Sequence, residues 1–121
     1  KKNPFFRITK NVYDGDLIPP ESDDFVSDKN LFNYQAKIIK QLAERESCVI
    51  VGRCADYVLK DKEDTINVFI HADKEIRKQR AINEYGISPH KADGYINKQD
   101  KKRNTYYNYY TGKKWGNSCI L

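Results

Sequence analysis

Methionine occurs nowhere in the chain, not even at position 1, which points to a natural start that lies elsewhere. Long apolar runs are missing as well. No stretch approaches the roughly 18 consecutive apolar residues that a membrane-spanning helix requires. Lys1-Lys2 leads into Asn3-Pro4 rather than into an apolar stretch, so no secretory leader is read here. Cysteine is scarce: Cys48, Cys54 and Cys119 make an odd set without a C-x-x-C pair. That leaves a disulfide scaffold and a cysteine zinc site unsupported, and the expected compartment is reducing, hence cytoplasmic. Cys48 stands in an apolar run and is expected to be a small core side chain. Internal repeats and low-complexity tracts are also absent.

What is present suits one domain with a modest core and a well-solvated surface, with 39% hydrophobic and 32% charged residues among 121. The net charge of +5 is unevenly placed. Between Asn97 and Lys114 stand Lys98, Lys101, Lys102, Arg103, Lys113 and Lys114 against the single acid Asp100, and the remaining residues balance. The basic character therefore lies in one short segment, which favours an anion-binding element over a generally adhesive surface.

Residues 1–30 read as a surface insert, punctuated by Asp14-Gly15-Asp16 and Pro19-Pro20 and made acidic by Glu21, Asp23 and Asp24. Residues 31–45 have helical periodicity, with Ser27 or Asp28 as cap and Phe32, Gln35, Ala36, Ile39, Leu42 and Ala43 on one inward face. Ser47-Cys48-Val49-Ile50-Val51 has the β-branched composition of a buried strand. Gly52-Arg53 then turns into a short helix through Leu59, and Ile66-Asn67-Val68-Phe69-Ile70 reads as a second strand. Asp73 opens a helix that ends near Gly86, and Ser88-Pro89 starts another that reaches about Tyr110. On this last helix Ala92, Ile96, Gln99, Arg103, Tyr106 and Tyr110 share the expected inward face, whereas Lys101 and Lys102 point elsewhere. Cys119-Ile120-Leu121 could open a last strand. Strands alternating with helices predict an α/β fold, a three-layer arrangement around a parallel sheet over a core of residues 31–96.

In such a fold ligands sit at the carboxyl ends of strands. Gly52-Arg53 is then placed so that the backbone approaches a ligand and a guanidinium grips a phosphate, although a turn glycine beside a solvated arginine fits the same residues. Arg103, on an inward face, needs a partner, and Asp100 three residues earlier could orient it. A long arginine packed among tyrosines is the structural alternative. Arg77 and Arg80 follow the second strand; a solvated pair such as Arg80 with Glu84 is the ordinary reading, and closeness to the strand end leaves a nucleotide role open. The aromatic and basic run from Tyr106 to Gly116 could stack single-stranded nucleic acid or pack a mobile lid.

The run Ser47-Cys48-Val49-Ile50-Val51-Gly52-Arg53-Cys54-Ala55-Asp56-Tyr57, then Val68-Phe69-Ile70-His71-Ala72, then Asp100-Lys101-Lys102-Arg103 and Tyr-Tyr-Thr-Gly-Lys-Lys-Trp-Gly together resemble the cytidylate-kinase-like family. The likeness extends from about Ser27 to Gly116. It implies the P-loop nucleotide-kinase fold, incomplete in these residues, and magnesium–ATP-dependent phosphoryl transfer to a nucleoside monophosphate resembling CMP. By position it implies that Arg53 holds the acceptor phosphate and Gln35 faces the acceptor. It also implies that Asp100, Lys102 and Arg103 belong to a lid over residues 97–116, and that Arg77 and Arg80 lie on the ATP side. Cys54 stands where well-studied cytidylate kinases carry aspartate. No G-x-x-x-x-G-K-[ST] occurs, since Gly112-Lys113-Lys114-Trp115 lacks the spacing and the hydroxyl, so these residues offer no cradle for the β- and γ-phosphates. A single-stranded nucleic-acid-binding module over residues 98–115 and a non-catalytic interaction module on a kinase-like fold remain the rival readings.

Overall fold

Ser27 sets the register of the first helix. Its side chain accepts a hydrogen bond from the Asn30 backbone N–H at 3.2 Å, and α1 runs Asp28–Arg45 from that cap. The computed structural model describes residues 13–116, and its further helices are α2 (Ala55–Val58), α3 (Lys74–Tyr85) and α4 (Pro89–Thr111). The described residues fall into two units. One comprises residues 13–65 with Tyr109–Gly112, the other Ile66–Asn108 with residues 113–116.

In the first unit, Phe32, Ala36 and Ile39 are buried on α1 as the periodicity requires, together with Cys54, Ala55, Val58 and Tyr110. Phe32 stacks on Tyr110 with ring centroids 4.1 Å apart, and Tyr13 meets Phe32 edge-on. Two asparagines on α1 tie down the irregular stretch that precedes it. Asn30 accepts from the Ile18 N–H at 2.8 Å and donates to the carbonyls of Ile18 and Phe25. Asn33 donates to the Asp16 carbonyl at 2.6 Å and to Asp14 Oδ1. Both asparagines are buried; backbone groups satisfy the oxygen and the amide of Asn30, whereas Asn33 Oδ1 has no hydrogen-bond partner among the described residues.

In the second unit the buried apolar side chains are Ala81 on α3 and Ala92 and Ile96 on α4. Gly86 ends α3 in the left-handed conformation (φ 66°), and the Ile87 N–H reaches back to the Ala81 carbonyl at 3.1 Å. Lys74 bridges to Asp93 at 2.9 Å, and Arg77 pairs with Asp100, so two ion pairs join α3 to α4.

The α/β expectation is not met: the described residues are helical or irregular and contain no strand or sheet. Residues 47–51 and 65–73 carry the β-branched pattern, yet neither segment pairs as a strand with another among the described residues. Val49 is 93% exposed and Ile66 90%, where a buried strand was expected. The physical reason is that β-branched composition favours a local backbone shape, whereas a strand exists only with a neighbour to share its hydrogen bonds. Cys48 is accordingly exposed rather than in the core. Leu42 is also exposed, as the last turn of α1 leaves the packed region. The expected strand at Cys119-Ile120-Leu121 and the first twelve residues of the insert lie outside the described residues.

Candidate functional site

The second unit brings together three of the sequence-predicted residues. Arg77 projects from the first turn of α3, and Asp100 stands three turns into α4. The Arg77 guanidinium embraces the Asp100 carboxylate in a fork, with Nη1 donating to Oδ2 at 3.0 Å and Nη2 donating to Oδ1. This pairing first, then the charges of Arg77, Arg103 and Lys74, hold the Asp100 carboxyl below its ordinary 3.8 against the opposing effect of burial. Arg103 Nη1 lies 3.6 Å from Asp100 Oδ1, too long for a hydrogen bond. Asp100 is therefore claimed by Arg77, and Arg103 keeps donors available.

The chain beyond α4 adds an aromatic neighbour. Gly112 adopts φ 70°, a left-handed turn open to glycine, and the segment folds back along the helix. The Trp115 N–H donates to Asn104 Oδ1 at 3.1 Å. The indole meets Phe69 edge-on at 5.2 Å, and the Arg103 guanidinium carbon lies 6.0 Å from the indole centroid. The sequence pattern singled out neither Phe69 nor Asn104 as a partner of this group. The available signal was the lone tryptophan following a turn glycine.

Arg103 does not turn inward as the helical phase predicted. Its side chain is 56% exposed, and every residue from 101 to 106 is exposed, Tyr106 included. Lys101 and Lys102 face solvent as expected. Arg80 is bound to Glu84 through Nε at 2.9 Å on the exposed face of α3, so it stands apart from the Arg77–Asp100–Arg103 group.

Arg53 and Gln35 belong to the first unit. Gly52, Arg53 and Cys54 take three successive left-handed conformations, with φ of 70°, 56° and 55°. For the two non-glycine residues this backbone costs about 1–3 kcal/mol each. The turn closes with the Ala55 N–H donating to the Gly52 carbonyl at 3.1 Å. It buries Cys54 and leaves the Arg53 guanidinium exposed without a hydrogen bond or ion pair among the described residues. Burial, helped by the nearby Asp56 charge, pushes the Cys54 thiol up to about 12, so it is no nucleophile near neutrality. Gln35 is half-buried on α1.

The described residues contain no group of three Asp, Glu, His or Cys side chains able to hold a metal ion. Asp14 is bound to Lys29 at 2.7 Å, and Asp23 and Asp24 are solvated. The residues present therefore do not make a protein cage for magnesium. Exposed guanidinium and ammonium groups, by contrast, suit the oxygens of a polyphosphate. None of the described helices is long and apolar enough to cross a membrane.

The sequence model of the cytidylate kinase-like family matches residues 1–120. Among solved structures the chain is similar to an uncharacterized protein from Eubacterium ventriosum ATCC 27560, with 34% identity and a TM-score of 0.67. That match covers 97% of this chain and 62% of the other, so the chain spans less than two thirds of that protein's length. No curated protein matches.

Proposed function

Because the chain belongs to the cytidylate kinase-like family, we propose that the full-length protein transfers a phosphoryl group from ATP to a nucleoside monophosphate of the CMP kind. The observation that carries this reading is the division of labour among the three charged groups of α3 and α4. Asp100 is neutralised by Arg77, which leaves Arg103 as an exposed guanidinium beside Lys102. A cation so placed can stabilise charge on a transferring phosphoryl group, which is the main demand this chemistry makes of a protein. Magnesium enters with the phosphates of ATP.

In this reading Arg103 and Lys102 engage the transferring phosphate, and Asp100 and Arg77 hold the helix pair that presents them. Arg53, displayed by its left-handed turn, grips the acceptor phosphate, with Gln35 on the acceptor side. The ion pair with Glu84 makes Arg80 a weaker candidate for the ATP side than its position alone suggests.

Steady-state kinetics with each substrate varied in turn tests the assignment. Arg53→Ala should raise KM for the acceptor about tenfold or more while leaving KM for ATP near its starting value, since a charge-assisted contact is worth about 1.5–3 kcal/mol. Arg103→Lys should lower kcat despite keeping the charge, because an ammonium cannot reproduce the guanidinium fork. An unchanged acceptor response in the first variant and unchanged turnover in the second would refute the roles given to these residues.

A further inference from the structure

Arg103 is a long side chain at an exposed helix position, and free in solution it would sample many rotamers. Ordering it at the moment of phosphate binding would cost free energy that a preorganised guanidinium avoids. The segment beyond α4 supplies such preorganisation. Asn104, the residue next to Arg103, takes the Trp115 backbone N–H at 3.1 Å. Phe69 meets the edge of the indole, with the two rings inclined at 70°. Gly116 at φ +87° uses glycine's conformational freedom to seat the tail beside Phe69; a Cβ there would only reach ordinary contact with Phe69 Cζ at 3.5 Å. The indole is thus fixed by contacts that do not involve Arg103; its centroid lies 6.0 Å from the guanidinium carbon, and Asp100 Oδ1 lies 3.6 Å from Nη1.

We propose that Trp115 is a positioning residue for Arg103, holding the guanidinium near the indole and Asp100 so that its remaining donors are preorganised for phosphate before the ligand arrives. The inference rests on the reading of Arg103 as a phosphate-gripping residue. Trp115 itself does not touch the reacting groups. It acts by narrowing the conformations of the arginine, so its loss is felt in turnover more than in acceptor binding.

The test uses the full-length protein, with Trp115→Leu, Trp115→Phe, Arg103→Gln and the Arg103→Gln/Trp115→Leu pair. Trp115→Leu should lower kcat about two- to fivefold, the range expected for an exposed cation–π contact. KM for CMP should move little, and Trp115→Phe, which keeps a ring face, should restore most of the loss. In the Arg103→Gln background Trp115→Leu should have no further effect on the residual turnover. A second readout is independent of turnover: the Nε–H resonance of Arg103 in arginine-labelled protein, assigned by its absence in Arg103→Gln. The indole ring current should displace it in the parent, and Trp115→Leu should abolish that displacement. Should Trp115→Leu fail to fold, Asn104→Ala releases the tail while sparing the indole and should move the resonance in the same direction. A resonance indifferent to these changes, or an equal loss of kcat in both backgrounds, overturns the positioning role while leaving the reading of Arg103 intact. Turnover undiminished by Arg103→Gln overturns that reading, and the positioning role with it.

Discussion

Replacing Asp100 by asparagine keeps the size of the side chain and removes the charge that the Arg77 fork grips. Two charge-assisted hydrogen bonds are affected. Each such bond contributes about 1.5–3 kcal/mol in a protected setting. The Arg77 and Asp100 side chains are 30% and 34% exposed, so solvent screening reduces the pair well below the sum. A net loss of about 1–2 kcal/mol follows. For a domain of this size that lowers the melting temperature by roughly 5–10 °C. The pH dependence fixes the cause. Arg77 holds the folded-state carboxyl below its ordinary 3.8, so the contribution is fully present above that value. It is lost as pH falls through the lower folded value. Thermal melting followed by circular dichroism should therefore show a constant gap between parent and Asp100→Asn from neutrality down to about pH 5, closing at more acid pH. Arg77→Met should cost a similar amount, and the double variant should lose less than the sum. Equal melting points at neutral pH would refute the argument, as would a gap that survives full protonation of the carboxylates.

Three further outcomes follow from the first unit. Phe32→Ala removes the ring that stacks on Tyr110 and should destabilise the protein by about 3–5 kcal/mol in denaturant titrations, whereas Phe32→Leu should cost much less. Asn30→Leu strands the Ile18 and Phe25 backbone groups, should cost about 1–3 kcal/mol, and should hasten proteolytic cleavage between residues 13 and 26. Iodoacetamide at neutral pH should label the exposed Cys48 and spare Cys54, whose buried thiol is pushed up to about 12, as mapped by peptide mass spectrometry.

The helices were legible because their signals are local. The spacing of Phe32, Ala36 and Ile39, the Ser27 cap, the Gly86 stop and the Ser88-Pro89 start each act within a turn or two of the residue that carries them. The lack of a sheet among the described residues was not, since residues 47–51 and 65–73 show a preference for extended backbone but cannot reveal whether a partner pairs with them. Helical phase misplaced Arg103 for a related reason. The stripe of Ala92 and Ile96 is buried, but continuing it assumes equal burial along the whole of α4, and residues 101–106 are exposed. Nor could periodicity show that Asn30 and Asn33 are buried, because what draws them in is the backbone of a loop many residues earlier. The link between Asp100 and Arg103 was visible in their spacing. The stronger claim of Arg77 on Asp100 depends on how α3 meets α4.

The central claim is that this chain forms part of an enzyme that phosphorylates nucleoside monophosphates with an arginine-based phosphate grip. Incubating the purified full-length protein with magnesium and γ-labelled ATP, against CMP, dCMP, UMP, AMP and GMP in turn, tests it most directly. The account predicts label in the cytidine diphosphates, with the rate falling about a hundredfold in Arg103→Gln. Label in no nucleoside diphosphate, or a rate indifferent to Arg103, would contradict it.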